Sequence, residues 1–122
     1  MKKIIFKGVA TAIATPFKDN NVDFNEFKRL LQFQISNNVD AIVVCGTTGE
    51  ASTMSLQERI DTIKCAVDFC KGKVPIIAGT GSNNTKQAIE TSIIAENLGV
   101  DAILVVTPYY NKTTQLRINR TL

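Results

Sequence analysis

Short apolar runs alternate with longer amphipathic segments along the chain. The apolar runs cover residues 8–15 (GVATAIAT), 41–45 (AIVVC), 74–78 (VPIIA) and 101–106 (DAILVV). Each run is short and bounded by turn residues, which predicts four buried strands. Helices between successive strands carry the chain back across the sheet, so we expect the strands to run parallel. The order βαβαβαβ therefore predicts an α/β fold with both faces of the sheet buried.

Capping residues predict where the three intervening helices begin and end. The sequences DFNE at 23–26 and SLQE at 55–58 have the spacing of a capping pair before an amphipathic stripe. A third helix is predicted from about Thr85 to a left-handed cap at Gly99. The residues expected to face the sheet from this helix are Ala88, Ile89, Ile93 and Leu98.

Two architectures fit this order, a doubly wound open sheet and part of a (β/α)8 barrel. In both, ligands bind at the carboxyl ends of the strands. Small polar loops follow all four predicted strands, at residues 15–16, 46–50, 79–83 and 107–111, while the loops that lead into the strands look like plain turns. Four such loops at one end of the sheet predict a ligand site there.

Composition narrows the chemistry that this site can perform. The chain has 122 residues, 44% of them hydrophobic, and no histidine, which excludes a serine–histidine triad and an imidazole metal site. Its 14 basic and 11 acidic residues form no basic stripe, so nucleic acid is not expected as a partner. Three cysteines lack the close spacing of a metal cluster and predict free thiols in the cytoplasm. No apolar run approaches the roughly 20 residues of a membrane span.

Three of the loops carry candidate chemistry. Thr47 and Thr48 lie between glycines at 46–50, where they either cap the next helix or hold a small carboxylate, with one hydroxyl relaying a proton. Residues 79–83 begin like a dinucleotide motif but lack its third glycine, which favours a tight turn whose amides could hold an anion. The tyrosine pair at 109–110 is either packing or a phenol for acid–base catalysis.

Four motifs on these loops make the chain similar to a known family. They are TPF at 15–17, VCGTTGE at 44–50, AGTGSN at 78–83 and VTPYYNK at 106–112. In this order and on these loops they resemble the dihydrodipicolinate synthase family of pyruvate-dependent class I aldolases, from about Gly8 to Gln115. N-acetylneuraminate lyase, a relative, shares the Gly-x-Thr-Gly-Glu element, but the tyrosine loop is more similar to the synthase.

The resemblance implies a (β/α)8 TIM barrel that condenses pyruvate with aspartate semialdehyde in the diaminopimelate pathway of lysine biosynthesis, without a cofactor or a metal. A lysine forms a Schiff base with pyruvate and turns it into an enamine nucleophile. By position, Thr47 and Tyr110 would relay the proton. Gly46 and Thr48 would hold the pyruvate carboxylate.

The resemblance also implies an assembly. Family members are commonly homotetramers built from tight dimers, and Tyr110 would reach into the neighbouring subunit's site. Some members bind inhibitory lysine at this interface, and the corresponding residues here are Ala51, Asn83, Gln87 and Tyr109. Leu56, Arg59 and Gln87 depart from the histidine and glutamate residues of lysine-sensitive members, so strong inhibition by lysine is not expected.

Half of the implied catalytic site is missing from this sequence. A Schiff-base lysine must be neutral and largely desolvated, and none of the ten lysines lies in an apolar run. In the family that lysine comes from a later strand, and a barrel needs about 250 residues. Residues 116–122 no longer follow the family pattern. We therefore expect residues 1–122 to form a single partial barrel domain, (βα)3β plus the start of the next helix, without catalytic activity.

Two other interpretations stay open. The chain could be a small non-catalytic α/β domain that binds an anionic ligand at residues 79–83. It could also be an interaction remnant that pairs with full-length subunits. Stabilisation by pyruvate favours the enzyme family, whereas stabilisation by phosphate or a nucleotide favours the anion-binding domain.

Overall fold

The structure, a computed structural model, describes residues 3–107, 109 and 114–116. Its strands are β1 (Ala10–Ala12), β2 (Phe17–Lys18), β3 (Asn21–Val22), β4 (Ala41–Val44), β5 (Ile76–Gly79) and β6 (Ala102–Leu104). Its helices are α1 (Phe24–Ser36), α2 (Leu56–Cys70) and α3 (Thr85–Leu98), with a 3-10 turn at Ala51–Thr53. Gln115 and Leu116 are also helical. The predicted order of strands and helices is confirmed, although the regular part of each strand is shorter than its apolar run.

Strand order decides between the two architectures. Strands β1, β4, β5 and β6 form one parallel sheet in that order, so strands that follow one another along the chain are neighbours. A doubly wound sheet reverses its order at a switch point and has helices on both faces. Here α1 packs against α2 and α2 against α3, on one face of the sheet. This is the arrangement of a barrel wall, with its helices on the outside.

The main core lies between the sheet and the helices. Side chains alternate along each strand, and Ile42, Val44 and Ala78 point to the helical side, where they are fully buried. The helix residues buried against them are Phe27, Leu31, Ile63, Ala66, Cys70 and Ala95. Val43 and Ile77, which pair across β4 and β5, alternate with these and face what is the inside of a barrel.

Helix α3 ends as predicted but buries a different face. Gly99 follows it with φ 92, the left-handed cap expected there. The buried residues of α3 are Ala88, Thr91 and Ala95. The prediction that Ile89 and Ile93 are buried is wrong, because they are 49% and 53% exposed. The small residues let the helix lie close to the sheet, so the two isoleucines fall on its flank, beside an open groove of about 450 Å³ along β6.

The last strand, β6, also departs from the prediction. Ile103 and Leu104 are 44% and 53% exposed, so this strand is not buried on both faces. Within the described residues β6 pairs with β5 on one side, and no further strand follows it in the sheet. Burial on both faces is therefore limited to the inner strands β4 and β5.

A short hairpin after β1 was not predicted. Strands β2 and β3 pair antiparallel, with Phe17 opposite Val22. The two residues between them, Asp19 and Asn20, both have positive φ, 52 and 66. Two-residue hairpin turns require this geometry, and aspartate and asparagine adopt it more readily than other residues with a side chain. The hairpin connects the end of β1 to the start of α1.

Both predicted capping pairs lie at helix starts. The Ser55 hydroxyl accepts from the Glu58 amide at 3.1 Å, and the Glu58 carboxylate accepts from the Ser55 amide at 3.0 Å. This is a complete capping box. The Asp23 carboxylate accepts from the Glu26 amide at 3.1 Å, but Glu26 pairs with Arg29 and does not return the bond.

Two aspartates join the strands at the end of the sheet opposite the polar loops. The Asp40 carboxylate, just before β4, accepts from the Val9 amide at 2.7 Å, just before β1. The Asp101 carboxylate, just before β6, accepts from the Ile76 amide at 2.9 Å, at the start of β5. The same link between neighbouring strands thus occurs twice at the amino ends.

Candidate functional site

The loops that follow the strands meet at one rim. A Cβ placed on Gly79, at the end of β5, would overlap the carbonyl oxygen of Cys45, at the end of β4. A Cβ on Gly81 would lie 2.7 Å from the amide nitrogen of Val106, in the loop after β6. Residues with a side chain cannot approach so closely. The two glycines therefore let the loops after β4, β5 and β6 pack together.

The threonine loop (residues 46–50) is a tight turn in this rim. Cys45, which precedes it, and Glu50, which ends it, have left-handed φ values of 57 and 56. The Gly46 carbonyl accepts from the amide three residues later at 3.1 Å, and the Thr47 carbonyl accepts from the Glu50 amide at 3.0 Å. These backbone bonds fix the loop without using its threonine side chains.

Thr47 and Thr48 are exposed on this turn, and their donors are unused. Within the part of the chain that the structure describes, neither their amides nor their hydroxyls form a hydrogen bond. Adjacent residues thus offer four donors to an acceptor from solvent, and a carboxylate accepts such bonds with both oxygens. The alternative that these threonines cap the next helix is wrong, because Ser55 caps α2. The loop fits a small carboxylate.

The predicted catalytic and substrate-binding residues lie partly on this loop. Gly46, Thr47 and Thr48 are consecutive and sit at the carboxyl end of β4. Tyr110 lies outside the described residues, so its proton relay with Thr47 stays a prediction.

The predicted interface residues also lie at the carboxyl end of the sheet. They are Ala51 at the start of the 3-10 turn, Asn83 before α3, Gln87 in its first turn, and Tyr109 after β6. The Gln87 side-chain oxygen accepts from the Ser82 hydroxyl at 3.2 Å. Tyr109 is 39% exposed. The role of these residues at an interface stays a prediction.

The loop at residues 79–83 leads into a helix start whose amides are already bonded. The Asn84 side chain accepts from the amides of Lys86 and Gln87 at 3.1 and 3.3 Å. The Asn84 amide itself donates to the Ser82 hydroxyl at 3.1 Å. Because these donors have partners within the chain, the helix start offers few hydrogens to an anion. The anion site at residues 79–83 stays a prediction.

Three residues around the threonine loop were not predicted to form part of the carboxylate site. Thr15 is 4% exposed, and its hydroxyl lies 3.2 Å from where a Cβ of Gly49 would be. Arg59 reaches from α2 and donates from Nη2 to the Gly79 carbonyl at 2.9 Å. Burial raises the pKa of the Cys45 thiol to about 11, and the nearby Arg59 charge opposes this rise. Thr15 stands in the TPF motif, but nothing in the spacing of Arg59 indicates that it turns inward.

The described lysines do not include a Schiff-base nucleophile. All of them are exposed: Lys3, Lys7, Lys18, Lys28, Lys64, Lys71, Lys73 and Lys86. Such a nucleophile needs a desolvated, neutral amine. Among the described residues no group of histidine, cysteine, aspartate or glutamate side chains could hold a metal ion. None of the described helices combines the length and apolar character that crossing a membrane requires.

Comparison with known proteins extends these observations. A model of the dihydrodipicolinate synthetase family matches residues 5–120. The 4-hydroxy-tetrahydrodipicolinate synthase 1 of Clostridium acetobutylicum is 62% identical over 111 residues, which are 91% of this chain and 38% of that protein. A crystal structure of a dihydrodipicolinate synthase matches with a TM-score of 0.93 and 49% identity, over 95% of this chain and 40% of the other. The synthase from Aquifex aeolicus gives a TM-score of 0.92 and 42% identity over the same shares, 95% and 40%.

The chain spans 38% of the length of the Clostridium relative and 40% of the two structures. Its parallel sheet and three outer helices correspond to the amino-terminal half of their TIM barrel. The family match includes the threonine loop and all the loops of the rim. The chain belongs to the dihydrodipicolinate synthetase family.

Proposed function

We propose that this chain carries the pyruvate-binding part of a lyase active site of the 4-hydroxy-tetrahydrodipicolinate synthase type. In that reaction pyruvate, held as a Schiff base, condenses with aspartate semialdehyde, and no cofactor is needed. The observation that carries the proposal is the threonine loop, where two exposed residues leave four hydrogen-bond donors unused at the carboxyl end of β4. The relatives described above, all synthases, favour this reaction over that of N-acetylneuraminate lyase.

Three residues of the loop have roles in this proposal. Gly46 and Thr48 hold the pyruvate carboxylate, because backbone and hydroxyl donors there have no competing partner among the described residues. Thr47 relays a proton with Tyr110, since a hydroxyl can accept one hydrogen bond while it donates another. Ligand binding at the carboxyl ends of parallel strands is the rule for barrel enzymes.

Residues 1–122 are proposed to bind pyruvate without condensing it. The described lysines are all exposed, whereas a Schiff-base nucleophile needs a desolvated amine. The nucleophile of the whole barrel is expected from a later strand. A homotetramer for the full-length protein, a cytoplasmic location, a single partial domain and the departure from the family at 116–122 also stay predictions.

Titration of the isotope-labelled chain with pyruvate, followed by nuclear magnetic resonance, tests the carboxylate site. We expect the largest shifts at the amides of Thr47 and Thr48. Thr48→Val should weaken binding, because it removes one donor. Thr53→Val is the matched control, since its hydroxyl is already bonded to the Glu50 carbonyl at 2.9 Å. Shifts centred on residues 79–83 would instead favour the anion-binding domain, and the absence of shifts would refute pyruvate binding by this chain.

A further inference from the structure

Two buried polar atoms without a hydrogen-bond partner belong to residues around the threonine loop. Among the described residues, three buried side-chain atoms have no hydrogen-bond partner: Thr11 Oγ1, Thr15 Oγ1 and Arg59 Nε. Thr15 lies against Gly49, at one end of the loop, and Arg59 lies near the other end. Most buried polar groups in proteins are paired, so an unpaired group calls for an explanation. For Arg59, which carries a charge, the explanation bears on ligand binding.

Arg59 reaches the back of the loop through a short series of contacts. The half-buried side chain extends from α2, and its Nη2 donates to the Gly79 carbonyl at 2.9 Å. Gly79 is packed against Gly46, because a Cβ on Gly79 would lie 3.0 Å from the Cα of Gly46. The guanidinium therefore binds Gly79, which is in direct contact with Gly46, the first residue of the loop.

The charge of Arg59 is not neutralised within the described residues. The ion pair found there joins Arg29 and Glu26 on α1, and Arg59 takes part in none. Its charge acts on Cys45, next to the loop, where it lowers the pKa of the thiol while burial raises it. An uncompensated cation in a partly buried setting raises the local potential and attracts anions. Thr47 and Thr48, with their unused donors, directly follow Gly46 along the loop.

We propose that Arg59 is an electrostatic positioning residue of the carboxylate site: its guanidinium, fixed by the Gly79 carbonyl, supplies the positive charge that balances a carboxylate on the threonine loop. Arg59 does this from behind the loop, without touching the ligand. The inference rests on the proposed function, because it names what gives that site its preference for an anion. It predicts discrimination between pyruvate and a neutral ester of the same ketone.

The test measures the affinity of the chain for pyruvate and for methyl pyruvate, which lacks the carboxylate charge. Arg59→Met should weaken pyruvate binding about tenfold, the size expected for one charge in a partly buried setting, and leave methyl pyruvate unchanged. Arg59→Lys keeps the charge and should stay within about threefold of the wild type. Arg29→Met is the matched control, since it removes the same charge from an exposed ion pair on α1, outside the threonine loop. Arg59→Gln provides the same neutral comparison where the methionine variant fails to fold.

The binding measurements have four possible outcomes, and each supports or overturns the proposed role of Arg59. The inference is supported if Arg59→Met weakens the binding of pyruvate alone and Arg59→Lys restores it. Added salt should then reduce the difference in pyruvate affinity between the wild type and Arg59→Met. Equal weakening of both ligands assigns Arg59 a merely structural role and overturns it. Unchanged pyruvate binding in the neutral variants overturns it too, while the proposed function stands. A wild-type chain that binds no pyruvate overturns both.

Discussion

Gly79→Ala is the most direct test of the packing at the rim. The added Cβ would overlap the Cys45 carbonyl oxygen and lie 2.8 Å from the carbonyl carbon of Cys45 and 3.0 Å from the Cα of Gly46. All three are backbone atoms, so relief of the overlap requires the end of β4 to move. Overpacking of an interior typically costs 1–3 kcal/mol, and because no flexible side chain can yield here, we expect a loss of about 3 kcal/mol of unfolding free energy.

Thermal and urea unfolding, followed by circular dichroism, measure this loss. A decrease of about 3 kcal/mol lowers the Tm of a domain of this size by roughly 10–20 °C. Gly46→Ala is the control, since its Cβ would meet a Val43 methyl at 3.4 Å, an ordinary contact, and it should cost less than about 1 kcal/mol. A Tm of Gly79→Ala within about 3 °C of the wild type would refute the close approach of the two loops.

Three further predictions follow from the same region. Thr15→Val should keep or raise the unfolding free energy, by up to about 1 kcal/mol, because it removes a buried hydroxyl without a partner; a lower Tm would contradict this. Because burial raises the pKa of Cys45 from 9.0 to about 11, the folded chain keeps a proton that the unfolded chain releases, and stability should fall as the pH rises through that range. Cys45→Ala should flatten this fall in urea titrations, and an unchanged slope would argue against the burial of the thiol. Incubation with pyruvate and borohydride should leave the mass of the chain unchanged while a full-length relative is labelled in the same tube; a pyruvyl adduct would overturn the proposed inactivity.

The order of elements could be predicted because it depends on local patterns. Apolar runs bounded by turn residues placed the four sheet strands, and the capping pairs at 23–26 and 55–58 placed two helix starts. The hairpin at β2 and β3 was missed because strands of two residues are too short to show an alternating pattern. The available signal was the Asp19–Asn20 pair, because these residue types tolerate the positive φ of such a turn.

The sequence pattern did not predict which side chains of α2 and α3 face the sheet, because that depends on tertiary packing. Ile89 and Ile93 fit the helical stripe of α3 as well as its small residues do, and only the position of the helix on the sheet leaves them exposed. The threonine loop was found from its composition and its place after a strand. Arg59 was considered only as a position of the lysine site, because its direction toward Gly79 depends on how α2 is rotated against β5.

The two aspartates at the amino ends of the strands separate the residues that join the strands from those proposed to bind a ligand at the carboxyl ends. Asp40 and Asp101 bind amides of neighbouring strands and take no part in the rim. The amino ends of the strands are thus joined by their own polar bonds, which involve no residue of the rim loops. A library that randomises Thr47 and Thr48 but keeps the flanking glycines should therefore yield mostly folded proteins with altered ligand preference, whereas one that randomises Asp40 and Asp101 should mainly lose folded protein. Engineering of ligand preference should therefore keep the two aspartates and change the exposed residues of the threonine loop.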